Sequence, residues 1–216
     1  MQIIPPQKNE ALEQLLRHCH RRRYASKTAI IKPGDAGEIL YFIAEGSVAV
    51  RVFNEEAGHE IVLAYLNKGD FIGEVGVFLG NMVRDVTVVT KEPTQLAEIG
   101  YVRLQQLLRN ELREYAVDLL TLFGKQLSHR LLTTSRKVSN MAFLDATGRI
   151  EQTLKDLCKQ PDAMTHPEGH QIRVTRQEIG RIVGCSREMA GKILKTLEEQ
   201  GQISVSGKTI VVFGTR

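Results

Sequence analysis

From about Tyr24 to Gly100 the apolar residues come in short runs rich in β-branched and aromatic side chains, separated by turn chemistry. ILYFIAEGSVAVRV breaks at Glu45-Gly46-Ser47, and EIVLAYL, LNKGDFIGE, RDVTVVT and TQLAEIG follow closely. Runs this short and closely set, punctuated by Gly34, Gly37, Gly46, Gly58, Gly69 and Gly73, predict an antiparallel sandwich or barrel. The stretch before them, ALEQLLRHCHRR, has the spacing of a short amphipathic helix.

The pattern then changes. Between about Leu104 and Met141 Gly124 is the single turn residue, and Leu112, Ala116, Leu119, Phe123, Leu127, Leu131, Thr134, Val138 and Met141 recur every three or four positions. That is the seam of a long helix with coiled-coil-like spacing. One small barrel cannot cover so long a stripe, which makes a homodimer through this helix the economical expectation. Beyond Asp145, TGRIEQTLKDLCKQ reads as a helix and PDAMTHPEGH as a proline-containing loop. VTRQEIGRIVGCSREMAGKILKTLEEQG reads as two helices, and QISVSGKTIVVFG as two short strands around Ser206-Gly207-Lys208. The expected class is α+β, with an N-terminal antiparallel β-barrel over residues 1–110, a central dimerisation helix and hinge over 111–144, and a smaller C-terminal domain over 145–216.

Composition removes other classes. Hydrophobic residues are 42% and charged residues 25% of 216, ordinary globular usage that argues against disorder or a coiled rod. No apolar run approaches a membrane span, and MQIIPPQKNE lacks the basic-then-apolar order of a signal peptide. Cys19, Cys158 and Cys185 stand far apart, so reduced thiols in a cytoplasmic protein are expected. The six histidines show no metal-ligand spacing, and the strand region holds only His59. A barrel metalloenzyme needs two or three histidines converging with a carboxylate, so neither a metal nor catalysis is expected.

The net charge of +4 is modest, yet over 173–195 Arg173, Arg176, Arg181, Arg187, Lys192 and Lys195 face only Glu178 and Glu188. A local excess of this kind suits phosphate backbones. Thr175 with Glu178 has the form of a capping box, Gly184-Cys185 break that helix, and Ser186 is a good N-cap for the next. On the second helix Ala190, Ile193, Leu194 and Leu197 point inward, leaving Arg187, Glu188, Gly191, Lys192 and Lys195 on the opposite face. Two short helices of this design, with Arg and Glu at the start of the second, are what a helix-turn-helix presents to base edges, and the strands that follow would be its wing. In the N-terminal half, Gly73-Glu74 with Arg84 supplies the parts of a phosphate and ribose cradle: a tight turn, a carboxylate and a guanidinium.

The segments AYLNKGDFIGEVGVF, AFLDATGRI, KQPDAMTHPEG, TRQEIGRIVGCSRE and GKTIVVFGTR resemble the family of cyclic-AMP receptor proteins, the CRP/FNR transcription regulators, over roughly residues 20–216. The resemblance implies a jelly-roll-like cyclic-nucleotide-binding barrel and a winged helix-turn-helix. It also implies a cytoplasmic homodimer with cyclic AMP as allosteric ligand, palindromic promoter DNA and RNA polymerase as partners. By the same resemblance Gly73, Glu74, Arg84, Asp85, Thr134 and Ser135 bind the nucleotide, with Ser135 offered to the partner subunit's ligand. Arg187, Glu188 and Lys192 read bases; Thr175, Arg176 and Ser186 contact phosphates. Thr165, His166 and Gly169, and separately His20, Arg22 and Arg103, form surfaces that touch RNA polymerase.

The chain departs from the family at three of these places. Asp85 stands where the receptor protein has Ser, and a carboxylate facing a phosphate repels it by roughly a kcal/mol or more. Lys192 replaces an Arg and Met189 a Thr, which softens base preference at one position. The first departure keeps a second reading open: the same fold answering another signal, through cyclic di-GMP antagonism or activity without ligand. An iron–sulfur sensor is disfavoured by the lack of an N-terminal cysteine cluster.

Overall fold

The computed structural model describes residues 10–55, 58–80 and 82–215. They form two compact units: the chain up to Val52 with Leu63–Thr134, and Phe53–Val62 with the chain from Ser135 onward.

The N-terminal half of the chain opens with α1 (Glu10–Arg17), and its strands are β1 (His20–Tyr24), β2 (Ala29–Ile31), β3 (Ala36–Gly37), β4 (Ile39–Glu45), β5 (Ser47–Asn54), β6 (His59–Asn67), β7 (Phe71–Ile72), β8 (Met82–Val83), β9 (Thr87–Thr90) and β10 (Thr94–Gly100). One four-stranded sheet has the order β1-β10-β4-β7, a second β2-β9-β5-β6, and β3 pairs with β8; every recorded pairing is antiparallel. The unbroken apolar run of β4 follows from burial on both faces. Tyr41 and Ile43 point inward among Val48, Leu66, Val88 and Leu96. Leu40 and Phe42 point the other way, joining Leu15, Phe71, Ala97, Ile99 and Leu104 in a second core. Cys19-His20-Arg21-Arg22 departs from the helix expected there: α1 stops at Arg17, and His20–Tyr24 pair along β10 from Glu98 to Thr94. Pairing to β10 overrides local propensity, and four exposed basic side chains are tolerable because β1 is the outermost strand of its sheet.

The long helix is interrupted. α2 (Glu74–Leu79) is followed after β10 by α3 (Tyr101–Arg109), a 3-10 turn (Arg113–Tyr115) and α4 (Ala116–Phe143). No glycine or proline marks the break; Leu112 forces it by turning into the core, 3% exposed, its N–H donated to the Leu107 carbonyl at 2.8 Å. Leu119 and Phe123, expected in the dimer seam, are instead fully buried against the barrel, where Phe123 meets Phe71 edge-on at 4.8 Å between ring centroids.

In the second unit α5 (Ala146–Leu157) is capped by Asp145, which accepts from Gly148 N–H at 2.8 Å. β11 (Met164–His166), β12 (Gly169–Arg173), α6 (Arg176–Val183), α7 (Arg187–Glu199), β13 (Ile203–Ser206) and β14 (Thr209–Phe213) complete it, with sheet order β11-β12-β14-β13. The segment expected as a proline-containing loop is a hairpin: Pro167-Glu168 occupy its turn, leaving Met164–His166 free to pair with Gln171–Gly169. Ile150, Leu154, Ile172, Ile179, Val183, Ala190, Leu194, Leu197, Ile203 and Ile210 form its core.

Candidate nucleotide pocket and nucleic-acid interface

The strand β7 ends at Gly73, whose φ of +90° is a conformation L side chains rarely adopt. Space forbids a side chain there as well, since a Cβ would lie 2.8 Å from both Arg84 Nη2 and the Ile39 carbonyl. The next residue, Glu74, opens α2 and is fully buried. Its Oε1 pairs with Arg130 Nη1 on α4, and Arg130 Nη2 donates to the Phe71 carbonyl at 2.6 Å. Glu74 Oε2 makes no hydrogen bond of ordinary length although it is shut off from solvent, the Gln126 amide and the Glu74 N–H giving the carboxyl only weaker support. Burial pushes the Glu74 carboxyl above the ordinary carboxylate range, opposed chiefly by the Arg130 charge. Half-buried Arg84 aims the same nitrogen, Nη2, at the Ile39 carbonyl (2.9 Å) and at Tyr101 Oη (3.0 Å), and that phenol donates to the Gly73 carbonyl at 2.5 Å.

Gly73, Glu74 and Arg84 thus converge. Chemically the turn offers a guanidinium for an anion and, at Glu74 Oε2, an acceptor waiting for a hydroxyl. Asp85, Thr134 and Ser135 are exposed. Three further residues that the sequence reading did not single out complete the arrangement: Arg130, Tyr101 and Gln126, whose amide both accepts from Phe71 N–H (2.7 Å) and donates to the Phe71 carbonyl (2.8 Å). The signal that could have found Arg130 is an arginine interrupting the apolar spacing of α4; nothing local distinguishes Tyr101.

In the second unit both expected caps are formed: Thr175 Oγ1 accepts from Glu178 N–H and Ser186 Oγ from Met189 N–H, each at 3.1 Å. Gly184 ends α6 in the left-handed conformation, φ +76°. Gly180, which the sequence reading did not single out, is buried where α7 begins, and a Cβ on it would lie 2.6 Å from the Cys185 carbonyl. Arg176, Arg187, Glu188 and Lys192 are exposed, with Met189 47% exposed beside them. Gly191 lies under Arg176, whose Cδ would be 3.4 Å from a Cβ there. Of the surface sets, Thr165 is exposed, His166 half-buried and Gly169 buried; His20, Arg22 and Arg103 are exposed, Arg103 pairing with Glu111 at 3.1 Å. Among the described residues no cluster of metal-ligating side chains occurs, and no helix is long and apolar enough to cross a membrane.

A barrel with an anion-and-hydroxyl turn, chained through a long helix to a capped helix-turn-helix with a wing, defines a ligand-responsive DNA-binding regulator. The cyclic nucleotide-binding domain family matches residues 21–111, and the bacterial regulatory proteins of the crp family match residues 172–203. The cAMP-activated global transcriptional regulator CRP of Salmonella typhimurium is 53% identical over 216 residues, covering 100% of both chains. The cAMP-activated global transcriptional regulator Vfr of Pseudomonas aeruginosa is 51% identical over 208 residues, 95% of this chain and 94% of Vfr. The solved structure of the global regulator CLP of Xanthomonas campestris, described as c-di-GMP responsive, superposes with a TM-score of 0.89 at 48% identity over 95% of this chain and 99% of that one. The chain belongs to the CRP family of bacterial transcription regulators. It is a DNA-binding regulator and not an enzyme, and its barrel takes a cyclic nucleotide. Val117, Leu120, Leu131, Leu132, Val138 and Met141 are apolar residues exposed along α4, and the regulator works as a homodimer.

Proposed function

We propose that the chain is a cytoplasmic, cyclic-AMP-activated transcription regulator that binds palindromic promoter sites as a dimer and contacts RNA polymerase. The observation that carries the choice of ligand is the buried Oε2 of Glu74, without a hydrogen bond of ordinary length, next in sequence to Gly73 against which Arg84 lies. A ribose hydroxyl supplies the missing donor, and a cyclic phosphate supplies the anion for the guanidinium. Gly73 leaves the backbone open to that approach. Thr134 and Ser135 reach the base, and exposed Asp85 is hydrated, which weakens its repulsion of the phosphate.

The ligand need only favour the DNA-competent state; a hundredfold preference corresponds to about 2.7 kcal/mol. Arg187, Glu188 and Lys192 then read base edges while Thr175, Arg176 and Ser186 contact phosphates. Thr165, His166 and the Gly169 backbone, with His20, Arg22 and Arg103, meet RNA polymerase.

A second reading has one specific support: CLP, 48% identical, is described as responsive to c-di-GMP. Calorimetric titration of the purified protein with cyclic AMP, with cyclic di-GMP in parallel, separates the two. Saturable cyclic-AMP heat at one site per subunit is expected. Heat from the dinucleotide alone would transfer the switch to that ligand and leave the DNA assignment standing.

A further inference from the structure

We infer that Tyr101 is the positioning residue of the pocket, its phenol holding Arg84 and the Gly73 carbonyl in the arrangement that receives a cyclic phosphate. The inference rests on the cyclic-nucleotide reading above. Tyr101 is the first residue of α3, anchored by its N–H to the Glu38 carbonyl at 2.8 Å, and is 6% exposed. Its Oη is held from two directions, accepting from Arg84 Nη2 at 3.0 Å and donating to the Gly73 carbonyl at 2.5 Å. The ring fills space left by a second glycine: a Cβ on Gly76 would lie 2.5 Å from Tyr101 Oη and 2.7 Å from Cε2. The phenol therefore has one seat.

Two consequences follow from the geometry. A long arginine side chain loses much rotamer freedom when it closes on an anion, and Tyr101 with the Ile39 carbonyl restricts it beforehand. The trans peptide is planar, so tethering the Gly73 carbonyl toward Tyr101 turns the Glu74 N–H the opposite way. One hydroxyl thus sets both the side-chain and main-chain sides of the anion cradle. Burial raises the phenol's pKa, and it stays a donor at neutral pH.

The test is the Tyr101→Phe variant of the full chain, which keeps the ring in its seat and deletes both hydrogen bonds. Cyclic-AMP affinity is measured by calorimetry in the wild-type background and in Arg84→Lys. We expect about a tenfold loss in the first and a clearly smaller loss in the second, because part of the phenol's action runs through Arg84 and only the Gly73 tether remains to be lost. Gly76→Ala, whose methyl group presses on the phenol oxygen and the ring, displaces the hydroxyl without deleting it and serves where Tyr101→Phe fails to fold. Equal losses in both backgrounds would make Tyr101 structural, and unchanged affinity in Tyr101→Phe would also overturn the inference. Absence of cyclic-AMP binding by the wild-type protein would overturn the ligand reading, and this inference with it. Wild-type binding with an unaltered variant would sink the inference alone.

Discussion

Arg130 on α4 and Glu74 at the start of α2, 56 residues apart in sequence, form an ion pair in which the acid has no exposed surface. The Gly73-Glu74 turn is therefore bonded directly to the long helix. A buried pair of this kind is weak evidence for net stability, yet removing one partner leaves an uncompensated charge in the interior.

Arg130→Leu should lower stability by about 3–5 kcal/mol, read by urea denaturation, because Glu74 is stranded. Replacing both residues by leucine should recover most of that loss. A single variant as stable as the wild type would mean that Glu74 is protonated or hydrated without its partner.

The Glu74 carboxyl has its pKa raised above 4.5 by burial, against the pull of Arg130. The folded protein therefore keeps this proton at pH values where the unfolded chain has released it. The group favours the fold on the acid side, and that advantage fades as pH rises from about the unfolded value through the folded one. Glu74→Gln, neutral throughout, should gain stability relative to wild type across that window. Melting temperatures of the two proteins from pH 4 upward give the comparison, and a gap that shrinks with pH would contradict the assigned direction.

Gly180→Ala sets a methyl group against the Cys185 carbonyl and should displace α7 from α6. Operator affinity in a gel-shift assay should fall at least tenfold while cyclic-nucleotide heat is unchanged. Retained operator binding would show that the turn yields without moving the recognition helix. Ser186→Ala removes the cap on Met189 N–H and should destabilise by about 1 kcal/mol, a loss visible in a melt of the same protein.

Arg187→Ala should weaken specific operator binding by roughly 1–3 kcal/mol and relax preference at one base position, leaving non-specific binding nearly intact. Affinities on operators substituted at each position give the profile. An undiminished profile would remove α7 from the major groove.

Burial lifts the Cys19 thiol to about 11, and Cys158 and Cys185 move in the same direction. Iodoacetamide at pH 8 should label Cys19 about a hundredfold more slowly than an ordinary thiol, since only the thiolate reacts. Fast labelling followed by mass spectrometry would show that α1 opens readily.

The helix-turn-helix was legible because its signals are local. Thr175 and Ser186 lie three residues from the N–H groups they cap, and Gly184 sits at the break it permits. The barrel was legible from short runs rich in β-branched and aromatic residues, such as β4, and from the glycines between strands. The pocket was only partly so: Gly73, Glu74 and Arg84 lie within one stretch, whereas Tyr101 and Arg130 are given meaning by chain reversals between them. The break before α4 was hidden for the same reason. Leu112, Leu119 and Phe123 fit a helical seam by spacing, and the aromatic surface of Phe42 and Phe71 that claims Phe123 lies far off in sequence. At β1, propensity favoured helix, and the register with β10 overruled it.

The paired bonds of Gln126 to both backbone groups of Phe71 have a consequence of another kind. β7 is the outermost strand of its sheet, and such a strand offers a free row of donors and acceptors to any stray chain. The carboxamide mimics one residue of a neighbouring strand, and Arg130 adds a second contact to the Phe71 carbonyl. The long helix α4 thus also seals a sheet margin against templated aggregation. Solubility of the barrel is in this way tied to the helix staying in place.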